Sequence, residues 1–292
     1  NQYIMRIIPE SEFIINPDGS AFHLHIKPEQ LADKIVMMGD PDRVGMTGKF
    51  FDSIECDIQS REFHTITGMY KGKRITALSH GIGTDNIDIV FTELDALANI
   101  DFSTRCVKSN FKQLTVVRVG TSGGMQPYCP VGSYVVSEKS IGFDGLIHYY
   151  AGSEEVREVD FEEEFQKQVN WSPFHCSPYV VSADEELIDR IGFDMIRGVT
   201  ISAIGFYGPQ GRYVRLPLAD PDLNAKIEAF RYGDYSITNY EMESSAIAGL
   251  GKMMGHKAMT VCAIIANRVA LNSNANYQGS VEELIKIVLD RI

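Results

Sequence analysis

The sequence predicts a single-domain α/β protein, and three observations carry that expectation. Short apolar runs rich in Val and Ile alternate with longer segments of helical period, the pattern of strands buried on both faces of a sheet. No linker, low-complexity stretch or internal repeat divides the 292 residues. Hydrophobic residues at 44% and charged residues at 23% are ordinary globular proportions, and a chain of this length can put roughly three quarters of its unfolded surface out of water.

Taken in order, Lys34–Met38 is an apolar strand ending at Gly39. Phe63–Tyr70 and residues 74–79 form a hairpin that turns at Lys71-Gly72. Residues 85–98 place Ile87, Val90, Phe91, Leu94 and Leu97 on one helical face. Residues 114–119, 134–137 and 199–204 are further strands. The acidic stretch 154–164 is expected to be a solvated surface segment. Helices follow at about 220–230 and 242–254, then a strand at 258–266. A last helix is signalled by Ser280 and Glu283, which have capping-box spacing ahead of Leu284, Ile287 and Val288.

Composition narrows the function classes. A net charge of −12 repels phosphate backbones and anionic surfaces, so no nucleic-acid or membrane partner is expected. The five cysteines are scattered and form no C-x-x-C, which argues against a disulfide framework and a structural zinc site and for a reducing, cytoplasmic setting. No apolar run is long enough to span a bilayer, and residues 1–8 have no signal-peptide pattern. His23 and His25 form an H-x-H pair without further ligands at recognisable spacing, so no metal is expected.

Candidate chemistry sits where strands end. Three apolar strands run into glycine loops carrying polar or basic residues: Gly39-Asp40-Pro41-Asp42-Arg43, Ser79-His80-Gly81-Ile82-Gly83 and Arg118-Val119-Gly120-Thr121-Ser122-Gly123-Gly124. Ligands of open α/β sheets bind beyond the carboxyl ends of strands. Glycines there let backbone N–H groups approach an anion, and arginine offers a fork for phosphate. None of the three is a Walker A loop or a complete dinucleotide fingerprint. Arg118 lies within a strand that should be buried, so it requires either a structural carboxylate partner or an oxyanion. The adjoining glycines and Thr121 favour the oxyanion. Arg43 reads either as an oxyanion ligand or as a surface Arg opening a helix.

Residues 206–213, Phe-Tyr-Gly-Pro-Gln-Gly-Arg-Tyr, combine an aromatic platform, a carboxamide and a guanidinium, able to stack on a planar heterocycle and bond its edge. An ordinary aromatic-rich loop is the competing reading. In Asn239-Tyr240-Glu241-Met242-Glu243-Ser244, two carboxylates open a helix and could accept from a vicinal diol, although helix starts also favour acids. Asn267-Arg268 ends another apolar strand.

These constellations, in this order, resemble the nucleoside phosphorylase family, and its uridine phosphorylase branch in particular, from Phe22 to the C-terminus. The resemblance implies a three-layer α/β/α fold with a central twisted mixed sheet, formed by residues 22–292 after an extension at 1–21. It implies that Gly39, Arg43, Arg118 and Thr121 hold inorganic phosphate, and that Arg61 reaches the phosphate site of a neighbouring subunit. His23 would reach the neighbour's ribose 5′-hydroxyl, with Met242 and Glu243 on the ribose. Phe206 would stack on the base, with Gln210 and Arg212 reading the uracil edge and Arg268 assisting through water. Arg43, Arg118, Gln210 and Arg212 would carry catalysis.

The implied activity is that of a pentosyltransferase: reversible phosphorolysis of uridine to uracil and ribose 1-phosphate, with phosphate as co-substrate and no metal or organic cofactor. Sites shared between subunits imply a homo-oligomer, a dimer at least and a hexamer by preference. Asn267 stands where purine-type relatives place an Asp. The departures are Gly208-Pro209, which reverses the family order, Thr84-Asp85-Asn86, and apparent additions before Phe22 and at 101–112. A purine nucleoside phosphorylase, a nucleoside hydrolase and a non-catalytic nucleoside-binding relative are the rival readings.

Overall fold

The computed structural model describes residues 5–292. The N-terminal half contains β1 (Lys34–Met38), α1 (Pro41–Gly48), β2 (Ser53–Ser60), β3 (Phe63–Tyr70), β4 (Lys73–Ser79) and α2 (Thr84–Asn99). A small hairpin follows, β5 (Ile100–Asp101) and β6 (Cys106–Val107), then β7 (Thr115–Gly124) and β8 (Tyr134–Gly142). The second half adds α3 (Val159–Val169), β9 (Tyr179–Ser182), α4 (Glu185–Ile191), β10 (Ile196–Ser202) and α5 (Leu223–Ala229). It ends with β11 (Ile237–Glu241), α6 (Ser244–Met253), β12 (Lys257–Asn267), β13 (Asn272–Ser273) and α7 (Gln278–Arg291).

Eleven strands make one mixed sheet, with β1 parallel to both β4 and β7. Alternate residues of β1 serve opposite faces. Ile35 and Met37 pack with α2 and α6, whereas Val36 and Met38 pack with α1, α4 and α7. The expected three layers follow from that alternation. Beyond β7 the sheet closes on itself. β12 pairs with β7 and β8, β8 with β10, β10 with β11, and β11 returns to β7. Register shifts in β10 at Gly198/Val199 and in β12 at Ile264/Ala266 supply the curvature for closure.

Several expectations need correction. Gly120–Gly124 is not a loop: β7 runs on to Gly124 because β11 and β12 both pair with it there. The acidic stretch is not wholly solvated, because α3 buries Phe161, Phe165 and Val169, and buried Glu162 pairs with Arg157. Ser280 caps nothing. α7 already begins at Gln278, and the Ser280 carbonyl accepts from the Tyr134 hydroxyl at 2.9 Å. The helix predicted from 242 starts at Ser244, where the Glu241 carboxylate accepts from the Ser244 N–H at 2.9 Å and caps it. All five cysteines are free, and among the described residues no helix is long and apolar enough to cross a membrane.

Candidate active site

The carboxyl ends of β1, β7, β11 and β12 open into one cleft of about 1140 Å3. At one wall, β1 stops at Gly39 and α1 starts at once, its N-cap Asp40 accepting from the Asp42 N–H. That places Arg43 in the first helical turn, facing the cleft, and only 9% exposed. Its guanidinium has no ion pair or hydrogen bond among the described residues, and its Nε is buried without a partner. Tyr277 lies under it, 5.8 Å from ring centre to Cζ. A buried, uncompensated cation at a helix N-terminus is costly unless an anion completes it.

Arg118 is arranged in the opposite way. Its Nη1 donates to Glu241 Oε2 and its Nη2 to Glu243 Oε2, each at 2.7 Å, with all three side chains buried. Its Nε donates to His80 Nε2 at 3.2 Å. Burial alone would depress the Arg118 charge, yet Glu243 and Glu241 outweigh it and raise Arg118 above the usual arginine range. Burial and then the Arg118 charge push His80 far below the usual histidine range, so the imidazole is neutral and accepts. Burial also raises Glu243, against the pull of Arg118 and reinforced by Glu241. Gly120 is obligatory here, since a Cβ would come within 2.6 Å of Arg118 Nη2.

The structural carboxylate pairing foreseen as one alternative for Arg118 is therefore present, and it leaves donors over. Of the five N–H donors of a guanidinium, one on Nη2 is uncommitted and a second, on Nη1, meets only Cys262 Sγ at 3.8 Å. Thr121 and Gly123 line the same wall. Met242 and Glu243 follow it, with the second oxygen of Glu243 accepting from the Gly83 N–H at 2.8 Å.

The other end of the cleft is rich in donors. Gln210 Oε1 accepts from Arg212 Nη1 at 2.8 Å and Arg268 Nη2 at 3.1 Å. Arg268 Nη1 also donates to the Gln210 carbonyl at 2.9 Å. These contacts fix the carboxamide, and its Nε2 makes no bond among the described residues. Arg212 lies over one face of Phe206, 3.7 Å from the ring centre, and the Tyr207 ring packs T-shaped against Phe206 with ring centres 5.1 Å apart. Burial and the charge of Arg268 press Arg212 down to about 10, so it stays charged at neutral pH. Asn267 is committed elsewhere. Its Nδ2 donates to the Gln126 and Cys129 carbonyls, and its Oδ1 accepts from the Val269 and Ala270 N–H groups.

Most of the predicted residues thus meet in one cleft, but His23 and Arg61 do not line it. They stand together outside, Arg61 6.0 Å from the centre of the Phe22 ring and His23 edge-on to Phe22. Sequence reasoning placed His80 in a glycine loop at the end of β4 but gave it no role of its own. It offered Glu241 beside Glu243 as an acceptor for a diol, whereas in the fold Glu241 anchors Arg118 and caps α6.

One cleft at the strand ends of this α/β fold thus joins a bare buried cation to an aromatic loop rich in donors, an arrangement that suits an anion and a planar ring together. The chain belongs to the phosphorylase superfamily, which it matches over residues 33–292. It is 28% identical to a uridine phosphorylase of Thermococcus kodakarensis over 86% of this chain and 79% of that one. It is 26% identical to a uridine phosphorylase of Haemophilus influenzae, covering 93% and 96% of the two chains. A nucleoside phosphorylase structure from Trypanosoma brucei, described as showing uridine phosphorylase activity, superposes with a TM-score of 0.87 at 27% identity, covering 96% and 98%.

Proposed function

We propose that this protein is a uridine phosphorylase, cleaving uridine with inorganic phosphate to uracil and ribose 1-phosphate. The observation that carries the reading is the convergence of Arg212 and Arg268 on Gln210, at the opposite end of the cleft from Arg43. Gln210 Nε2 and the spare guanidinium N–H groups form an edge made of donors, which suits a ring bearing two carbonyl oxygens. The similarity to curated uridine phosphorylases supports the same substrate.

Phosphate occupies Gly39, Arg43, Thr121 and the spare donors of Arg118, and attacks C1′ of a ribose held by Met242 and Glu243. The arginines supply alignment of the nucleophile. As the glycosidic bond lengthens, Gln210 and Arg212 stabilise charge on the departing uracil, with Arg268 holding the carboxamide for them. Inorganic phosphate is the co-substrate, and no metal or organic cofactor takes part. Residues 22–292 form the catalytic unit, and the free cysteines fit a cytoplasmic protein.

The site is shared between copies of the chain. Within one chain, Glu241 and Glu243 take up the charge of Arg118 and leave Arg43 as the uncommitted cation, so a doubly charged phosphate calls for a further one. Arg61, exposed and outside its own cleft, provides it to a neighbour, and His23 accompanies it to the neighbour's ribose. A dimer is the smallest assembly that completes the site, and a hexamer is built from three such dimers.

Base selection tests the reading. Cytidine presents an amino group to the guanidinium donors, leaving donors facing donors, and should react about a thousandfold or more slowly than uridine. Inosine should be inert, since Asn267 is fully engaged and offers no proton to a purine nitrogen. Comparable rates for uridine and cytidine, or turnover of inosine alone, would overturn the assignment.

A further inference from the structure

The segment before Phe22 and the insertion at 101–112 are two departures from the family pattern, and in the fold they are one device. Arg105, at the tip of the β5–β6 hairpin, donates from Nε to the Ile8 carbonyl at 2.7 Å and from Nη2 to the Pro9 carbonyl at 3.2 Å. Nη2 also donates to the Phe13 carbonyl, and the Ile8 N–H donates back to the Arg105 carbonyl at 2.9 Å. Phe13 is buried against Phe102 with ring centres 5.4 Å apart. Arg105 itself adopts a left-handed φ of 56°, uncommon for a side chain of its size. The turn is braced by Asp101 Oδ1, which accepts from the Ser103 N–H and hydroxyl.

From this buckle the chain reaches His23 through a turn closed by the antiparallel Ile15–Ala21 bridge. Asn16 Nδ2 donates to the Ala21 carbonyl at 3.0 Å, and fully buried Leu24 and Ile26 root the far side. Glu93 of α2, itself buried, takes the whole turn in one carboxylate. Oε1 accepts from the His23 and Leu24 N–H groups at 2.8 and 3.0 Å, and Oε2 lies 2.6 Å from His23 Nδ1. The bond at Nδ1 fixes the imidazole orientation and leaves Nε2 without a partner among the described residues. The His23 side chain is 27% exposed.

The geometry points to Arg105 and Glu93 as positioning residues. The N-terminal strap, buckled by Arg105 and pinned by Glu93, presents His23 Nε2 to the sugar 5′-hydroxyl in the site of a second copy. This inference rests on the reading of the cleft as a shared nucleoside site. It gives the N-terminal extension a role in substrate binding rather than in folding alone.

The test compares uridine with 5′-deoxyuridine, which lacks the hydroxyl, in R105A, E93Q and H23A, each with phosphate present. In R105A and H23A, kcat/KM for uridine should fall about tenfold, the size of one lost hydrogen bond of this kind, with 5′-deoxyuridine within twofold of wild type. E93Q should show the same selectivity with a smaller loss, and it decides the matter if R105A does not fold. R105A combined with H23A should be no worse on uridine than H23A alone. Equal losses on both nucleosides, or no loss on uridine, would overturn the inference. A wild-type protein inert towards both nucleosides would instead overturn the reading of the cleft, and the inference with it.

Discussion

Arg118→Ala is expected to lose both activity and stability. The substitution removes the partner of two buried carboxylates, each held at 2.7 Å, in a place where neither reaches water. Breaking a buried pair from one side typically costs about 3–5 kcal/mol, because the remaining charge is left uncompensated. For a chain of this size that corresponds to a fall in Tm of roughly 5–8 °C. Glu241 also caps α6 through the Ser244 N–H, so its displacement loosens the start of the helix that follows the cleft residues Met242 and Glu243. Catalysis should drop about a thousandfold, with the KM for phosphate raised, since a directed donor and its scaffold are lost together. Thermal unfolding and phosphate saturation curves measured on one preparation check both effects. An unchanged Tm would mean that the carboxylates do not depend on Arg118.

Arg212→Ala should separate the two effects. Arg212 is held by Gln210 Oε1 and the Phe206 carbonyl, on a loop at the mouth of the cleft. No buried carboxylate relies on it, so Tm should stay within a degree or two, as for most exposed substitutions. Activity should still fall about a hundredfold or more, mainly in kcat, under the role on the leaving base proposed above. Phe206 also loses the guanidinium that fixes its ring, which adds a rise in the KM for uridine. A loss confined to KM would contradict a role on the leaving group.

What the sequence made legible, and what it did not, follows from the range of the interactions. β1 was recoverable to the residue, because an apolar run bounded by Gly39 needs no tertiary information. β2 was missed although Ile54, Cys56 and Ile58 alternate with polar residues, since Ser53–Ser60 is a largely exposed edge strand with only three apolar positions. β9 and β11 are four and five residues long and give too little pattern to read. Closure of the sheet through β7 and β12 depends on pairings more than a hundred residues apart. Arg118 was conspicuous as a charge inside an apolar strand, but its partners lie 123 and 125 residues away. The approach of Arg268 to Gln210 spans 58 residues and was equally invisible. His80 could have been weighed with the glycine loop that contains it. The capping box at Ser280 misled because the spacing is right while the helix begins most of a turn earlier, at Gln278.

The most direct measurement is uracil release from uridine with and without inorganic phosphate, with the sugar product identified. Bare, buried Arg43 and the spare donors of Arg118 predict release that depends on phosphate and yields ribose 1-phosphate. Release of uracil and free ribose at the same rate without phosphate would contradict the anion site and make the protein a hydrolase.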